Sequence, residues 1–319
     1  MKKNTILVAV AVIVGIGVLY YLANLPQNKT ELPASPAAET PVVPAPTESA
    51  PKVDDQKDNI TPSEPQAAKP EIKSETVIGK SIMGRDIAAY HFGTGTKEIL
   101  FVGGIHGGYA WNTSLLAYQL IDYLKANPNA IPASVKATVI PVLNPDGLSK
   151  VVSATGRFSA KDVSSSPEAR ISGRFNSTPV DLNRNFDCGW KAEGVWQNKP
   201  VSGGKAAFSE PESAAIRDYA QNRKPAAVIA WYSAGGGVYS SSCGNGILPE
   251  TQAITDIYAT ASGYKAYKNF ESYQVSGDMT DWFAKNNVAA IGVLLTTPND
   301  TEADKNLAGI KALFEYYSK

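Results

Sequence analysis

The chain has 319 residues, 30 Lys and Arg against 30 Asp and Glu for a formal charge of zero, and only two His and two Cys. A balanced charge excludes a broad phosphate-binding surface, so nucleic acid is not an expected partner. Two cysteines exclude a disulfide-stapled miniprotein and any four-cysteine metal site, and two histidines narrow the metal chemistry that remains.

Lys2 and Lys3 precede a charge-free run from Ile6 to Leu25. At about 1.5 Å rise per residue, such a run spans a hydrocarbon core of roughly 30 Å. Its exit, Leu22-Ala23-Asn24-Leu25-Pro26, has no small-x-small cleavage pattern, which favours a retained membrane anchor over a cleaved signal. The lysines would stay in the cytoplasm and the rest would lie outside it, or be secreted if the segment were cleaved. Residues 26–72 hold 10 of the 21 prolines, 4 Lys, 8 acidic residues and no aromatic residue. That composition buries too little apolar surface to fold and predicts a disordered linker. Residues 73–319 remain as one domain, long enough for a sizeable core.

Within that domain, Thr76–Gly79 and Asp86–Phe92 flank Met83-Gly84-Arg85 and predict a hairpin. Glu98–Gly103 is a buried-strand pattern, and Leu116, Leu120, Ile121 and Leu124 share one face of a following helix. Ala137–Leu143 is a second apolar strand, ending at the turn sequence Asn144-Pro145-Asp146-Gly147. Arg157–Lys205 shows little periodicity and predicts a long functional loop. A helix opening at Ser209-Glu210-Pro211-Glu212 with Ser209 as N-cap comes next, followed by a strand over Ala226–Trp231. A helix over Glu250–Ala261, a strand over Ala289–Thr296 and a helix over Glu302–Tyr317 complete the pattern. This alternation predicts an α/β/α sandwich with a mostly parallel central sheet, whose ligands bind at the carboxyl ends of strands.

His106 lies just beyond the predicted strand, in Gly103-Gly104-Ile105-His106-Gly107-Gly108, where glycines leave the imidazole accessible. Val180-Asp181-Leu182-Asn183-Arg184-Asn185-Phe186 gathers polar residues in the long loop, and an arginine between amides suits bidentate capture of a carboxylate. His91 belongs to the early hairpin and reads as a packing residue. Cys188 and Cys243 would pair outside the cytoplasm, while a metal pair with His106 is the rival reading.

In order, Gly-Gly-Ile-His106-Gly, Asn144-Pro-Asp-Gly147, Arg174-Phe-Asn176 leading into Val180–Phe186, Phe208-Ser-Glu-Pro-Glu212 and Gly277-Asp-Met-Thr-Asp-Trp282 resemble the zinc carboxypeptidases of the carboxypeptidase A-like family. The resemblance implies one zinc held by a His and a Glu in a short motif plus a later His, with a separate Glu as general base. It makes His106 the first ligand. The paired carboxylate is expected three or four residues on, where Tyr109 and Ala110 stand, and Ala110 is taken as the substituted position. Tyr232 takes the place of the second histidine and Leu294 that of the general base.

Catalytic zinc needs about three protein ligands and an open position, and no histidine follows His106, so the resemblance implies zinc that this chain does not retain. Arg174, Asn183, Arg184 and Tyr273 match the family's substrate-holding residues. The expectation is therefore an impaired carboxypeptidase-like domain that binds the C-terminal carboxylate of a peptide or cell-wall stem peptide. The alternatives are an active metallocarboxypeptidase using His106, Tyr232 and an acid such as Asp146, and a serine hydrolase using Ser233.

Overall fold

In the computed structural model of the chain, the described residues are 74–319 apart from 154, 155 and 245. The expected anchor, residues 6–25, and linker, residues 26–72, lie outside the described residues. Among those described, no helix is long and apolar enough to cross a membrane.

The early hairpin forms as β1 (Glu75–Lys80) and β2 (Asp86–Phe92). The apolar strands are β3 (Lys97–Val102), β4 (Val135–Ile140), β7 (Ala227–Ser233) and β10 (Ala289–Leu295). Four further short strands were not expected: β5 (Glu193–Trp196), β6 (Lys199–Ser202), β8 (Gly237–Ser240) and β9 (Ala266–Tyr267). The helices are α1 (Trp111–Ala126), α2 (Pro145–Ser149), α3 (Pro167–Ser172), α4 (Pro211–Arg223), α5 (Pro249–Ser262), α6 (Met279–Lys285) and α7 (Ala303–Ser318).

Eight strands make one sheet in the order β1-β2-β4-β3-β7-β10-β8-β9. The central four, β4-β3-β7-β10, run parallel, while β1, β2 and β8 join antiparallel. Side chains alternate faces along a strand, so the buried strands feed two cores. Ile99, Phe101, Ile229, Trp231, Ile291 and Val293 pack with residues of α1, α5 and α7. Leu100, Val102, Val228, Ala230, Tyr232 and Ala290 pack on the other face with residues of α4 and α6 and with Leu182 and Phe186. The result is the expected three-layer sandwich. Tyr232 falls on the second face, which fixes where the loop carrying Asn183 and Arg184 must meet the strand ends.

Local chemistry differs from expectation in three places. The cap of α4 is Glu210 rather than Ser209, because Pro211 already supplies the first helical position and the Ser209 hydroxyl donates to Glu210 Oε1 (2.8 Å). Asn144 starts α2 instead of a plain turn, its side chain accepting from the Gly147 N–H at 2.8 Å. The aperiodic stretch Arg157–Lys205 contains α3 and the separate β5–β6 hairpin. His91 is a packing residue, as its position suggested. Its ring lies between the Thr76 and Thr138 hydroxyls at 2.8 and 3.0 Å, and burial pushes its pKa down to about 4.

Candidate functional site

The parallel strands β3, β7 and β10 end at a cavity of about 740 Å³. His106 enters it on the turn between β3 and α1. That turn is clamped by glycines. Gly107 sits at φ +43°, and a Cβ there would lie 2.6 Å from the Gly173 carbonyl oxygen and 2.8 Å from Gly147. The Gly108 N–H donates to the same Gly173 oxygen at 3.0 Å. Three loops thus close on one another with no room for a side chain, and the imidazole is held at the cavity. His106 has 8 % of its side chain exposed, and neither ring nitrogen has a hydrogen-bond partner among the described residues. Burial, then the nearby Arg174 guanidinium, hold its pKa well below the usual value against the opposing pull of Asp181, so the ring is neutral.

The Tyr109 N–H donates to the His106 carbonyl (3.0 Å), a turn that brings Tyr109 to the cavity while Ala110 is buried at the N-cap of α1. Of the two residues expected at the second ligand position, Tyr109 lines the cavity, whereas Ala110, the one taken as the substituted position, does not. Tyr232 and Leu294 are register partners on β7 and β10, and both line the cavity. The Tyr232 ring is centred 5.6 Å from that of His106. Burial, then Asp278 and Asp281, raise its pKa well above the usual value, which keeps it a neutral phenol.

One imidazole, two phenols and an aliphatic side chain do not make a zinc donor set. Among the described residues, no group of three His, Cys, Asp or Glu side chains is placed to hold a metal ion.

The residues expected to hold substrate do converge on this cavity. Arg174 is buried, its Nε and Nη2 donating to Asp181 Oδ2 at 2.9 and 2.8 Å. Burial pushes Asp181 up, but Arg174 and then Arg184 outweigh it and hold the carboxyl below its usual range. Asn183 donates to Asp278 Oδ2 (2.6 Å) and accepts from the Met279 N–H (3.0 Å). Arg184 is 1 % exposed, with Nε and Nη2 donating to the Val195 carbonyl (3.1 and 2.8 Å) and Nη1 to the Asn183 carbonyl (2.6 Å). A guanidinium carries five N–H donors. Arg184 therefore keeps two, and Arg174 three, with no partner among the described residues. Tyr273 lines the same cavity, its ring 5.9 Å from the Arg184 guanidinium carbon.

Sequence reasoning missed two parts of this site. The β5–β6 hairpin turns through Gln197 and Asn198, both at positive φ, and sets Trp196 4.5 Å from the Arg174 guanidinium. Its only signal was a two-residue turn without glycine, a weak one. The other part is the carboxylate pair at the start of α6. Asp278 caps that helix through the Thr280 and Asp281 N–H groups at 2.7 and 3.2 Å. Asp281 accepts from the Ser242 N–H (2.9 Å), and burial together with Asp278 pushes its pKa up to about 7. An Asp followed by a second acid three residues on is a readable helix start, but it does not say which way the carboxylates face.

The other expected chemistries are not assembled. Asp146 does not line the cavity and is held by Arg85 (2.7 Å), the Ser81 hydroxyl (2.7 Å) and the Met83 N–H (3.1 Å). That removes it from the alternative ligand set. The Ser233 hydroxyl donates to the Thr297 carbonyl at 3.1 Å and has no histidine partner among the described residues. Cys188 and Cys243 are joined in a disulfide, which leaves no thiolate to share a metal with His106.

A sequence profile of the family described as zinc carboxypeptidase matches residues 63–303. A gamma-D-glutamyl-L-diamino acid endopeptidase 1 from Lysinibacillus sphaericus is 26 % identical over 227 residues, covering 65 % of this chain and 56 % of its own length. The chain spans about half the length of the curated relatives it matches. Among solved structures, murein-tripeptide amidase MpaA from Escherichia coli O157 aligns with a TM-score of 0.53 at 17 % identity, over 80 % of this chain and 97 % of that one. Carboxypeptidase A from Helicoverpa armigera aligns with a TM-score of 0.57 at 22 % identity, over 76 % of this chain and 68 % of that one. These two likenesses concern the fold.

Proposed function

Since the chain belongs to the zinc carboxypeptidase family, we propose that it is a member that holds the C-terminal carboxylate of a peptide without cutting it. One contrast carries this reading. Arg174 and Arg184 keep N–H donors for a carboxylate on a cavity where Tyr109, Tyr232 and Leu294 stand in place of two ligands and a base. A bulk water molecule keeps a pKa of about 15.7 unless a metal lowers it, and Leu294 takes no proton from it. The guanidinium forks need neither group to bind an anion.

The peptide class we infer is a cell-wall stem peptide, because relatives are named for gamma-D-glutamyl-diamino acid and murein-tripeptide substrates. The domain would work outside the cytoplasm, tethered through residues 6–25 or secreted. The charge-free run after Lys2 and Lys3 supports that placement, and so does the Cys188–Cys243 disulfide.

Isothermal titration of the full chain with short peptides and their C-terminal amides tests the reading. The free acids should bind at least about tenfold more tightly, the worth of one charge-assisted hydrogen bond. Equal affinity for both forms would overturn it. So would stoichiometric zinc in the purified protein together with release of C-terminal residues.

A further inference from the structure

The β5–β6 hairpin stands apart from the eight-stranded sheet and brings its tip to the cavity. Trp196, at the end of β5, is 7 % exposed yet packs in neither core of the sandwich. What buries it is the site itself: the Arg174 guanidinium at 4.5 Å, with the Tyr109 and Phe175 rings set nearly perpendicular to it at 4.9 and 6.3 Å. Tyr109 is the ring of this corner that both lines the cavity and stays partly exposed.

The turn that follows supplies an independent observation. Gln197 and Asn198 both take positive φ, +48° and +63°, the conformation for which two-residue hairpins favour Asn-Gly. A glutamine at the first of these positions carries steric strain that asparagine or glycine would lessen. Both residues line the cavity and are exposed. Among the described residues, their side-chain amides make one hydrogen bond, from Gln197 Nε2 to the Tyr109 hydroxyl at 3.5 Å. Each amide carries a carbonyl acceptor and two N–H donors, so most of the tip's hydrogen-bonding capacity is left for a ligand.

We propose that this corner is a saccharide subsite. A pyranose ring at the amino end of the bound peptide packs on Tyr109 and Trp196, and its hydroxyl or acetamido groups bond to Gln197 and Asn198. This rests on the carboxylate-binding reading above and adds what the other end of that peptide carries. A pyranose combines an apolar C–H face with hydroxyls that donate and accept, and aromatic rings beside neutral amides match both halves. An apolar side chain would use the rings and leave the amides unpaired. A cell-wall stem peptide is joined through its amino end to an N-acetylated sugar, so Arg184 and the hairpin read the two ends of one ligand.

Titration of the unaltered full chain with N-acetylmuramyl-L-Ala-γ-D-Glu-L-Lys, N-acetyl-L-Ala-γ-D-Glu-L-Lys and N-acetyl-L-Phe-L-Ala-γ-D-Glu-L-Lys tests this, the first two also as C-terminal amides. The muramyl acid should bind about tenfold more tightly than the acetyl acid, the combined worth of one stacking contact and one hydrogen bond. Gln197→Gly with Asn198→Gly keeps a turn that suits positive φ, removes both amides and should cut that ratio about fivefold. If the muramyl and acetyl acids bind alike while acids still exceed amides, the saccharide subsite is refuted and the carboxylate reading stands. A phenylalanyl peptide that gains as much as the muramyl one would also overturn it, since the corner then takes apolar side chains. If acids and amides bind alike, the carboxylate reading falls, and the muramyl-to-acetyl ratio still decides the saccharide subsite. The ligand series settles the matter on unaltered protein even if the double variant fails to fold.

Discussion

Removing the Cys188–Cys243 bond, by reduction or by the double change Cys188→Ser and Cys243→Ser, has a magnitude that follows from topology. The bond closes a chain segment of 55 residues. On the chain-entropy account, that closure removes enough freedom from the unfolded state to stabilise the domain by about 4 kcal/mol. Small domains are held by about 5–15 kcal/mol in all, so the loss is large. For a domain of this size it should lower the melting temperature by roughly 8–16 °C. The bond also ties two walls of the cavity. The Cys188 carbonyl accepts from the Gly277 N–H (2.8 Å), and the Ser242 N–H beside Cys243 donates to Asp281 (2.9 Å). Gly277 is at φ +64°, and a Cβ there would fall 2.3 Å from the Arg184 carbonyl oxygen, so this corner has little slack. Urea titrations of both proteins measure the effect. The double variant should show a lower midpoint and a somewhat larger m, because its unfolded chain is less constrained. A stability difference below about 1 kcal/mol would refute the entropic account.

Two further outcomes are expected. Tyr109→Glu, Tyr232→His and Leu294→Glu made together should give a protein that takes up about one zinc, read by metal analysis after dialysis, while a triple variant with Ala110→Glu in place of Tyr109→Glu should not. His91, held neutral with its pKa near 4 against an ordinary 6.5, contributes stability above pH 6.5 that is lost as pH falls toward 4. Melting temperatures across that range should therefore drop less for His91→Gln than for the unaltered chain, and parallel curves would contradict the assignment.

The sheet was legible because its strands are continuous apolar runs. Glu98–Gly103, Ala226–Trp231 and Ala289–Thr296 need burial on both faces, and only a parallel sheet between helix layers provides it. His106, Asn183 and Arg184 could be located because they sit at strand ends or in a loop whose polar residues had no periodic role. The choice between Tyr109 and Ala110 could not be made from spacing. It depends on a turn in which both N–H groups point back to the His106 carbonyl, at 3.0 and 3.4 Å, before α1 begins. The β5–β6 hairpin was hidden for a related reason. Its four-residue strands are mostly exposed, with only Gly194, Trp196 and Val201 buried, so the alternation that marks a strand was too short to read.

Arg174 and Arg184 do not support the proposed function equally. Arg174 holds Asp181, which is fully buried and also accepts from the Asn183 N–H at 3.1 Å. Taking Arg174 away would strand a carboxylate in the interior, a loss of about 3–5 kcal/mol, so folding alone is reason enough for it to be there. Trp196 and Tyr109 cover its guanidinium as well, at 4.5 and 5.6 Å. Arg184 hydrogen-bonds to no carboxylate among the described residues, although its charge helps to hold the buried Asp181 carboxyl below its usual range. Its three internal bonds go to carbonyl oxygens of Asn183 and Val195, which shorter donors or water can satisfy. A guanidinium that is 1 % exposed, bonded to no carboxylate among the described residues and lining a cavity is an expensive way to cap two carbonyls. Under the function proposed above, the anion that compensates it is the C-terminus of a bound peptide.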